Sequence, residues 1–435
     1  MATQPNPAAL QRVIKTPGAV LMGLGSIVGT GIFVSIAIAT QVAGTGIILA
    51  IAIAALLATF NGLSSAQLAA AHPVSGGTYE YGYRFLGSYF GFTAGWMFMI
   101  AKSASAATAV LGCVGYVFYA LDVDAGRWVH AGAGLALLAV MTWLVSGGIQ
   151  RSNIANTVIV GVTLLGLAAL VGAGLWSNGL PVDPLQATFD DTDWRRILYG
   201  SALMFVAYTG YGRIATLGEE VAEPRKTIPR AIILAMISIV VLYLAVSLTA
   251  IQAMGVQDFA ASVNAEAAPL LIAARSLEVP GIAAVVSLAA ITAMLGVLLN
   301  LLLGLSRVLL GMARRRDVPH ALGAVHAGSQ SPVVAVWTTG LIIGVLVLSG
   351  DVVFTWSFSA FTVLIYYAIT NLSALFLPRE LRLYPRIIPV LGLFGCLFLA
   401  FFIEPGIWLP GMGMVVLAVI WHTVARKRQA SGQTL

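Results

Sequence analysis

What most constrains this chain is a succession of apolar runs, each about as long as a bilayer is thick, that fills nearly all of its 435 residues. A helix crossing the hydrocarbon core needs about 20 predominantly apolar residues. Bounded by charge and turn clusters, such runs fall at roughly 17–42, 46–70, 86–120, 128–146, 153–176, 195–218, 228–254, 280–312, 332–349, 353–377, 386–403 and 406–425. Only 9% of the residues are charged and 59% are hydrophobic, where a soluble domain carries about a quarter charged residues. A soluble domain and a disordered chain are both excluded, which leaves an all-α integral membrane protein of about twelve transmembrane helices. The first run is too long and too interrupted for a cleaved signal peptide, so it is expected to stay in the mature protein.

An even number of spans puts both termini on one side, and the basic residues say which. Arg12, Lys15, Arg84, Arg151, Arg213, Arg225, Lys226, Arg230, Arg307, Arg314, Arg315, Arg316, Arg379, Arg382, Arg386, Arg426, Lys427 and Arg428 fall on the side of the termini, and only Arg127, Arg195, Arg196 and Arg275 on the other. Positive residues mark cytoplasmic loops, so both termini are expected in the cytoplasm. The net charge of +6 is therefore a topology signal, and no nucleic-acid partner is expected. Cys113 and Cys396 sit inside apolar runs and read as buried packing residues. The five histidines, His72, His130, His320, His326 and His422, lie at loops or span ends without ligand spacing, so neither metal nor cofactor is expected. With no carboxylate at mid-membrane positions, an intramembrane enzyme has no constellation to work with.

Glycine clusters mark two spans. The first holds Gly23, Gly25, Gly29 and Gly31 within nine residues, and the sixth holds Tyr208-Thr209-Gly210-Tyr211-Gly212. Each glycine weakens a helix by about 1 kcal/mol relative to alanine, so both stretches are expected to break. Taken singly, either cluster could equally serve close helix packing. Together, in the first and sixth spans, they fit two five-helix inverted repeats, over 17–176 and 195–377, with two further C-terminal helices over 386–425, all in one transporter domain of residues 1–430. Freed amides at a half-helix N-terminus bind a carboxylate, and freed carbonyls at a half-helix C-terminus bind an ammonium, so such a site suits a zwitterion.

These residues resemble the amino acid, polyamine and organocation transporter superfamily, in particular its cationic amino acid transporter-like permeases. The resemblance is carried by Ser26-Ile27-Val28-Gly29-Thr30-Gly31-Ile32-Phe33, by Pro73-Val74-Ser75-Gly76-Gly77-Thr78-Tyr79, by Gly218 through Arg230, and by Met312 through Pro319. It implies a substrate carboxylate at the Thr30 side chain and the amides around Gly29 and Gly31, beside Ser26. It places the amino group at carbonyls near Ile27, Val206 and Thr209, beside Gly210. Many relatives carry an aromatic gate where Val206 stands; here either Phe205 takes over, with Tyr208 and Tyr211 nearby, or the pocket is roomier. In Gly218 through Arg230, Pro224 is expected to stop one helix and Pro229 to open the next, while Glu219, Glu220 and Glu223 pair with Arg225, Lys226 or Arg230 in solvent.

Sodium-coupled relatives ligate the ion with hydroxyls on the eighth helix, where the resemblance places Leu295 and Gly296; neither supplies an oxygen. Proton-coupled relatives put a lysine on the fifth helix, where this chain has Thr163. The membrane interior does hold Lys102, mid-way along the third span, and an ionisable residue there is a functional candidate by default. Three readings stand: a structural fixture bonded to carbonyls, a coupling or gating group shared with Thr163 and Tyr211, and a contact for an acidic substrate side chain. Lys102 would repel a cationic substrate, so neutral amino acids are expected first and acidic ones second. The expectation is a secondary transporter of the inner membrane, moving amino acids by alternating access, proton-coupled and not sodium-coupled, with an amino acid or polyamine exchanger without ion coupling as the alternative. An amino acid sensor is disfavoured by the short tails, and a channel by the lack of a charge ring.

Overall fold

The computed structural model describes residues 14–73, 76–148, 153–187, 193–215, 221–326 and 331–430. Val74, Ser75, Arg12, Arg151 and Gly218 through Glu220, on which parts of the sequence reading fell, lie outside them. Among the described residues the chain is helical, without named strands. The helices are α1 (Thr16–Ile27), α2 (Thr30–Phe33), α3 (Ser35–Ala43), α4 (Ile47–Ala71), α5 (Thr78–Phe85), α6 (Ser88–Ala120), α7 (Arg127–Ser146), α8 (Asn153–Asn178), α9 (Val182–Ala187) and α10 (Trp194–Tyr208). They continue as α11 (Gly212–Ala215), α12 (Pro224–Met254), α13 (Val256–Glu266), α14 (Pro269–Ser276), α15 (Ile282–Arg314), α16 (Val333–Val347), α17 (Val352–Leu375), α18 (Ile387–Ala400) and α19 (Pro405–Ala430). Hydrocarbon offers no partner for a backbone amide or carbonyl, so apolar runs of this length close their hydrogen bonds internally as helices.

Among the described residues eight helical stretches are long and apolar enough to cross a membrane, and α1, α16 and α18 are shorter apolar helices. The long stretches differ in depth: α6 and α17 are 83% buried over their most apolar part, while α19 is 22% buried and α7 28%. α6 and α17 pack against each other at the centre, with α15 against α6 and with α4, α10 and α12 alongside. Outward-facing Trp143, Leu165, Leu341, Val345 and Phe394 give the periphery the apolar surface that lipid requires. Asp193 and Asp351 cap α10 and α17, each accepting two backbone amides of the first turn.

Two groups of contacts tie the helix ends. In one, the buried carboxylate of Asp317 accepts hydrogen bonds from Tyr79 (2.6 Å) and Tyr83 (2.7 Å) of α5, and its carbonyl accepts from Trp421 of α19 (2.8 Å). Arg315 pairs with Glu80 at 2.5 Å and lies over the Tyr83 ring. In the other, Arg275 pairs with Asp122 at 3.0 Å and Arg127 reaches the Ser349 carbonyl at 2.8 Å. Both groups join charges and carbonyls that the apolar runs leave between them.

Pro224 does not end a helix before Pro229; it opens α12 itself, and Pro229 lies inside that helix. Glu223 takes the left-handed conformation (φ 49°) that turns the chain into α12, and a proline at the first helical position loses no hydrogen bond. Glu223 pairs with Lys226 at 2.8 Å, both well exposed, as expected of a solvated latch.

Candidate functional site

The first helix breaks after Ile27. Val28 and Gly29 are extended (φ −77°, ψ 108° and φ 177°, ψ −127°), so the ladder stops with Val28 donating to Leu24. It restarts with Ile32 and Phe33 both donating to the Gly29 carbonyl (3.0 and 3.1 Å). The amides of Gly29, Thr30 and Gly31 are left without a backbone acceptor. The Thr30 side chain is buried, 3% exposed, and its hydroxyl has no hydrogen-bond partner. Ser26, at the end of α1, donates to its own helix at Met22 (3.0 Å).

The glycines of this cluster do two jobs. Gly23 and Gly25 sit within α1, where an added β-carbon would fall 2.8 Å from an Ile214 side-chain carbon and 2.8 Å from the Asn156 side-chain oxygen, so they serve close packing. Gly29 and Gly31 flank the break itself. A β-carbon on Gly29 would strike Val297 of α15, and one on Gly31 would fall 3.0 Å from the Ala207 Cα and 2.9 Å from the Tyr243 hydroxyl.

The second interruption is milder than an unwound segment. α10 ends at Tyr208, and Thr209–Tyr211 form a single 3-10 turn before α11, with Tyr208, Thr209 and Gly212 all keeping right-handed helical dihedrals. The turn is held from several sides. Lys102 of α6 donates from Nζ to the Thr209 hydroxyl (2.9 Å), which donates in turn to the Val206 carbonyl (2.7 Å). Tyr367 of α17 donates to the Thr209 carbonyl (3.2 Å).

These two interruptions meet. A β-carbon on Gly210 would fall 2.6 Å from the Ile27 nitrogen, closer than real side chains approach. Tyr243 of α12 spans the junction, donating to the Ala207 carbonyl (2.9 Å) while its oxygen lies 3.5 Å from the Ile27 carbonyl. Ser26, Ile27, Gly31, Ala207 and Gly210 are thus brought into one contact. Phe205 and Val206 are buried on α10, and Phe205 meets the Tyr367 ring edge-on at 5.7 Å. Tyr208 turns to the scaffold, bonding the Ile51 carbonyl of α4 at 3.3 Å and tilting against Tyr243. Tyr211 packs on Tyr367 at 5.5 Å.

Thr163 is buried on α8 and donates to Ile159 of its own helix (2.7 Å). On α15, a β-carbon at Gly296 would fall 3.1 Å from Ile159, and Leu295 packs against the apolar core. Ser26, Lys102, Gly210, Gly212 and Arg213 keep partial exposure, while Phe33, Tyr116, Phe205 and Tyr243 have none. Partial exposure around the junction thus falls at the end of α1, on α6 and on the α11 side. A hollow of about 450 Å³ lined by Ala169, Gly172, Trp176, Val279 and Val285 is apolar and lies between α8 and α15, away from both interruptions. Among the described residues no three His, Cys, Asp or Glu side chains cluster as metal ligands.

Sequence reading missed Tyr243 and Tyr367. Both are tyrosines in the middle of long apolar helices, and a buried tyrosine hydroxyl needs a partner; that requirement was the available signal.

A membrane-embedded bundle whose first and sixth runs are both interrupted, and meet, is the build of a permease. The amino acid permease family matches residues 18–430, and the chain belongs to it. It is 40% identical over 434 residues to an uncharacterized transporter of Mycobacterium tuberculosis, covering 98% of this chain and 96% of that one. The branched-chain amino acid permease BcaP of Bacillus subtilis is 28% identical over 352 residues, 76% of this chain and 73% of the permease. The vacuolar cationic amino acid transporter 2 of Arabidopsis thaliana is 25% identical over 360 residues, 79% of this chain and 56% of the transporter. The protein is a multi-pass membrane protein of amino acid transport.

Proposed function

We propose that this protein is a secondary transporter that binds an amino acid at the junction of the two interruptions and moves it by alternating access. The observation that carries the reading is the apposition of Gly210 against Ser26 and Ile27 beside a buried Thr30 hydroxyl with no partner. In this reading the carboxylate takes that hydroxyl and the amides of Gly29, Thr30 and Gly31, and the ammonium lies among the carbonyls near Ile27, Val206 and Thr209. Tyr367 holds the Thr209 carbonyl, the Thr209 hydroxyl holds that of Val206, and Tyr243 holds the neighbouring Ala207 carbonyl beside Ile27.

Twelve crossings follow from taking α1–α3 and α10–α11 as one broken span each and α4, α6, α7, α8, α12 and α15–α19 as the rest. The two repeats then run over 17–176 and 195–377, with α18 and α19 appended. The basic-residue bias puts both termini in the cytoplasm of a bacterial-type inner membrane, and exposure on the α11 side then corresponds to an inward-facing form. Leu295 and Gly296 argue against sodium, and Lys102, bonded to the second interruption, supports coupling to protons. Exchange without ion coupling remains the alternative, and neither an enzymatic activity nor a nucleic-acid partner is part of the reading.

Amino acid binding to the purified protein, read as thermal stabilisation in detergent, tests the site. A hydrogen bond to a charged group contributes about 1.5–3 kcal/mol, so Thr30→Val should weaken binding roughly tenfold or more. Unchanged affinity in that variant would refute the carboxylate assignment.

A further inference from the structure

Lys102 is the only charged residue of α6, and its ammonium has Thr209, a neutral hydroxyl, as its hydrogen-bond partner. No described helix of twelve residues or more contains an aspartate or a glutamate; the carboxylates lie in loops, in short helices or at helix ends. Among the described residues, the deep interior of the bundle therefore carries a cation and no built-in anion. An ammonium removed from water is costly unless it is paired, and a threonine hydroxyl supplies a dipole where a full charge is wanted. Lys102 as a residue also keeps partial exposure, so it is not wholly enclosed by the bundle.

The position of this cation is informative. Thr209 is the chain neighbour of Gly210, which touches Ser26 and Ile27, so Nζ stands one side chain away from the junction of the interruptions. A zwitterionic substrate spends its carboxylate and ammonium on the two interruptions and brings nothing for Lys102. A substrate with a second carboxylate brings the missing anion. An ammonium–carboxylate contact has a full charge on both partners, where the bond to threonine that it would displace or extend has one on the donor alone.

We infer that Lys102 is the recognition group for a side-chain carboxylate, and that the preferred substrate class is acidic amino acids, those of net charge −1. The inference rests on the amino acid site proposed above and names what fills its side-chain end. It departs from the ranking that sequence alone suggests, in which neutral substrates precede acidic ones.

The test compares substrates of nearly equal size and different charge. Proteoliposomes holding the wild-type protein are loaded with unlabelled glutamate, aspartate, glutamine, asparagine or leucine, and counterflow of each labelled compound is measured. The expected result is that glutamate and aspartate exceed their amides by at least tenfold, and that Lys102→Met erases or inverts this acid-to-amide ratio. Equal handling of acids and amides by the wild-type protein overturns the inference, as does an acid preference that survives in Lys102→Met. Leucine or glutamine counterflow without any acidic counterflow overturns the inference while leaving the amino acid site standing. Counterflow of no amino acid in any pairing overturns both. The wild-type comparison decides the matter even if Lys102→Met fails to fold.

Discussion

Gly210 lies so close to Ile27 that a β-carbon on the glycine would come within 2.6 Å of the isoleucine nitrogen. Two interruptions more than 180 positions apart in the chain thereby share one contact, and the obstacle to a larger residue is backbone on both sides. Overpacking against a partner that cannot move costs about 1–3 kcal/mol or more. Gly210→Val is expected to lower both stability and substrate counterflow, the latter at least tenfold. Wild-type counterflow in this variant would mean that the two interruptions need not touch for transport.

Gly29 presents a different kind of crowding, because its obstacle is a single side chain, Val297 of α15. Gly29→Ala should therefore be impaired, and Gly29→Ala combined with Val297→Ala should regain much of the loss, since the second change removes the methyl that the first one meets. A double-mutant cycle on thermal stability and counterflow measures this coupling. Strict additivity would show that the conformation of Gly29, and not its closeness to α15, is what matters.

Tyr243 joins α12 to the Ala207 carbonyl and approaches that of Ile27. Tyr243→Phe deletes the hydroxyl and leaves the Ala207 carbonyl, a buried acceptor, with one bond fewer, a loss of about 1 kcal/mol. Binding affinity should fall severalfold if Tyr243, through Ala207 and its approach to Ile27, positions the carbonyls that hold the ammonium, and Tyr367→Phe should act likewise through Thr209. Affinity unchanged in both variants would separate the tyrosines from the site.

Away from the junction, Asp317 organises one end of the bundle through Tyr79 and Tyr83. Burial first, and the hydrogen bond to this carboxylate second, raise both phenols above the ordinary tyrosine range. A raised folded-state value means that this contribution to stability is fully present below the unfolded pKa, about 10, and declines as pH rises beyond it. These tyrosines should add no pH dependence to stability between about pH 6 and 9, and the alkaline loss above about pH 10 should be smaller in a Tyr79→Phe, Tyr83→Phe double variant. An identical alkaline profile in that variant would contradict this assignment.

The long helices were legible because a bilayer imposes length and apolarity, which leave their mark in composition; α6, α7 and α15 begin and end within about two residues of the runs read for them. Short helices between them were not, because α5, α13 and α14 have too few residues to register as apolar runs. Glycine density located the junction but misjudged its mechanics: Gly23 and Gly25 serve packing, and the second interruption tightens into a 3-10 turn instead of unwinding. What sequence could not supply was partnership. That Lys102 meets Thr209, that Thr163 is bonded to its own helix, and that Tyr243 reaches across the junction all depend on contacts between residues far apart in the chain.

The central claim is that an amino acid is carried through this junction. It is tested most directly by uptake of a labelled amino acid panel into proteoliposomes, with and without an inward proton gradient and with internal amino acid as counter-substrate. The account predicts saturable uptake that Gly31→Leu abolishes, because its side chain would enter the space against Ala207 and Tyr243, and that the proton gradient stimulates. Uptake unaffected by Gly31→Leu, or no uptake of any amino acid under either driving condition, would contradict it.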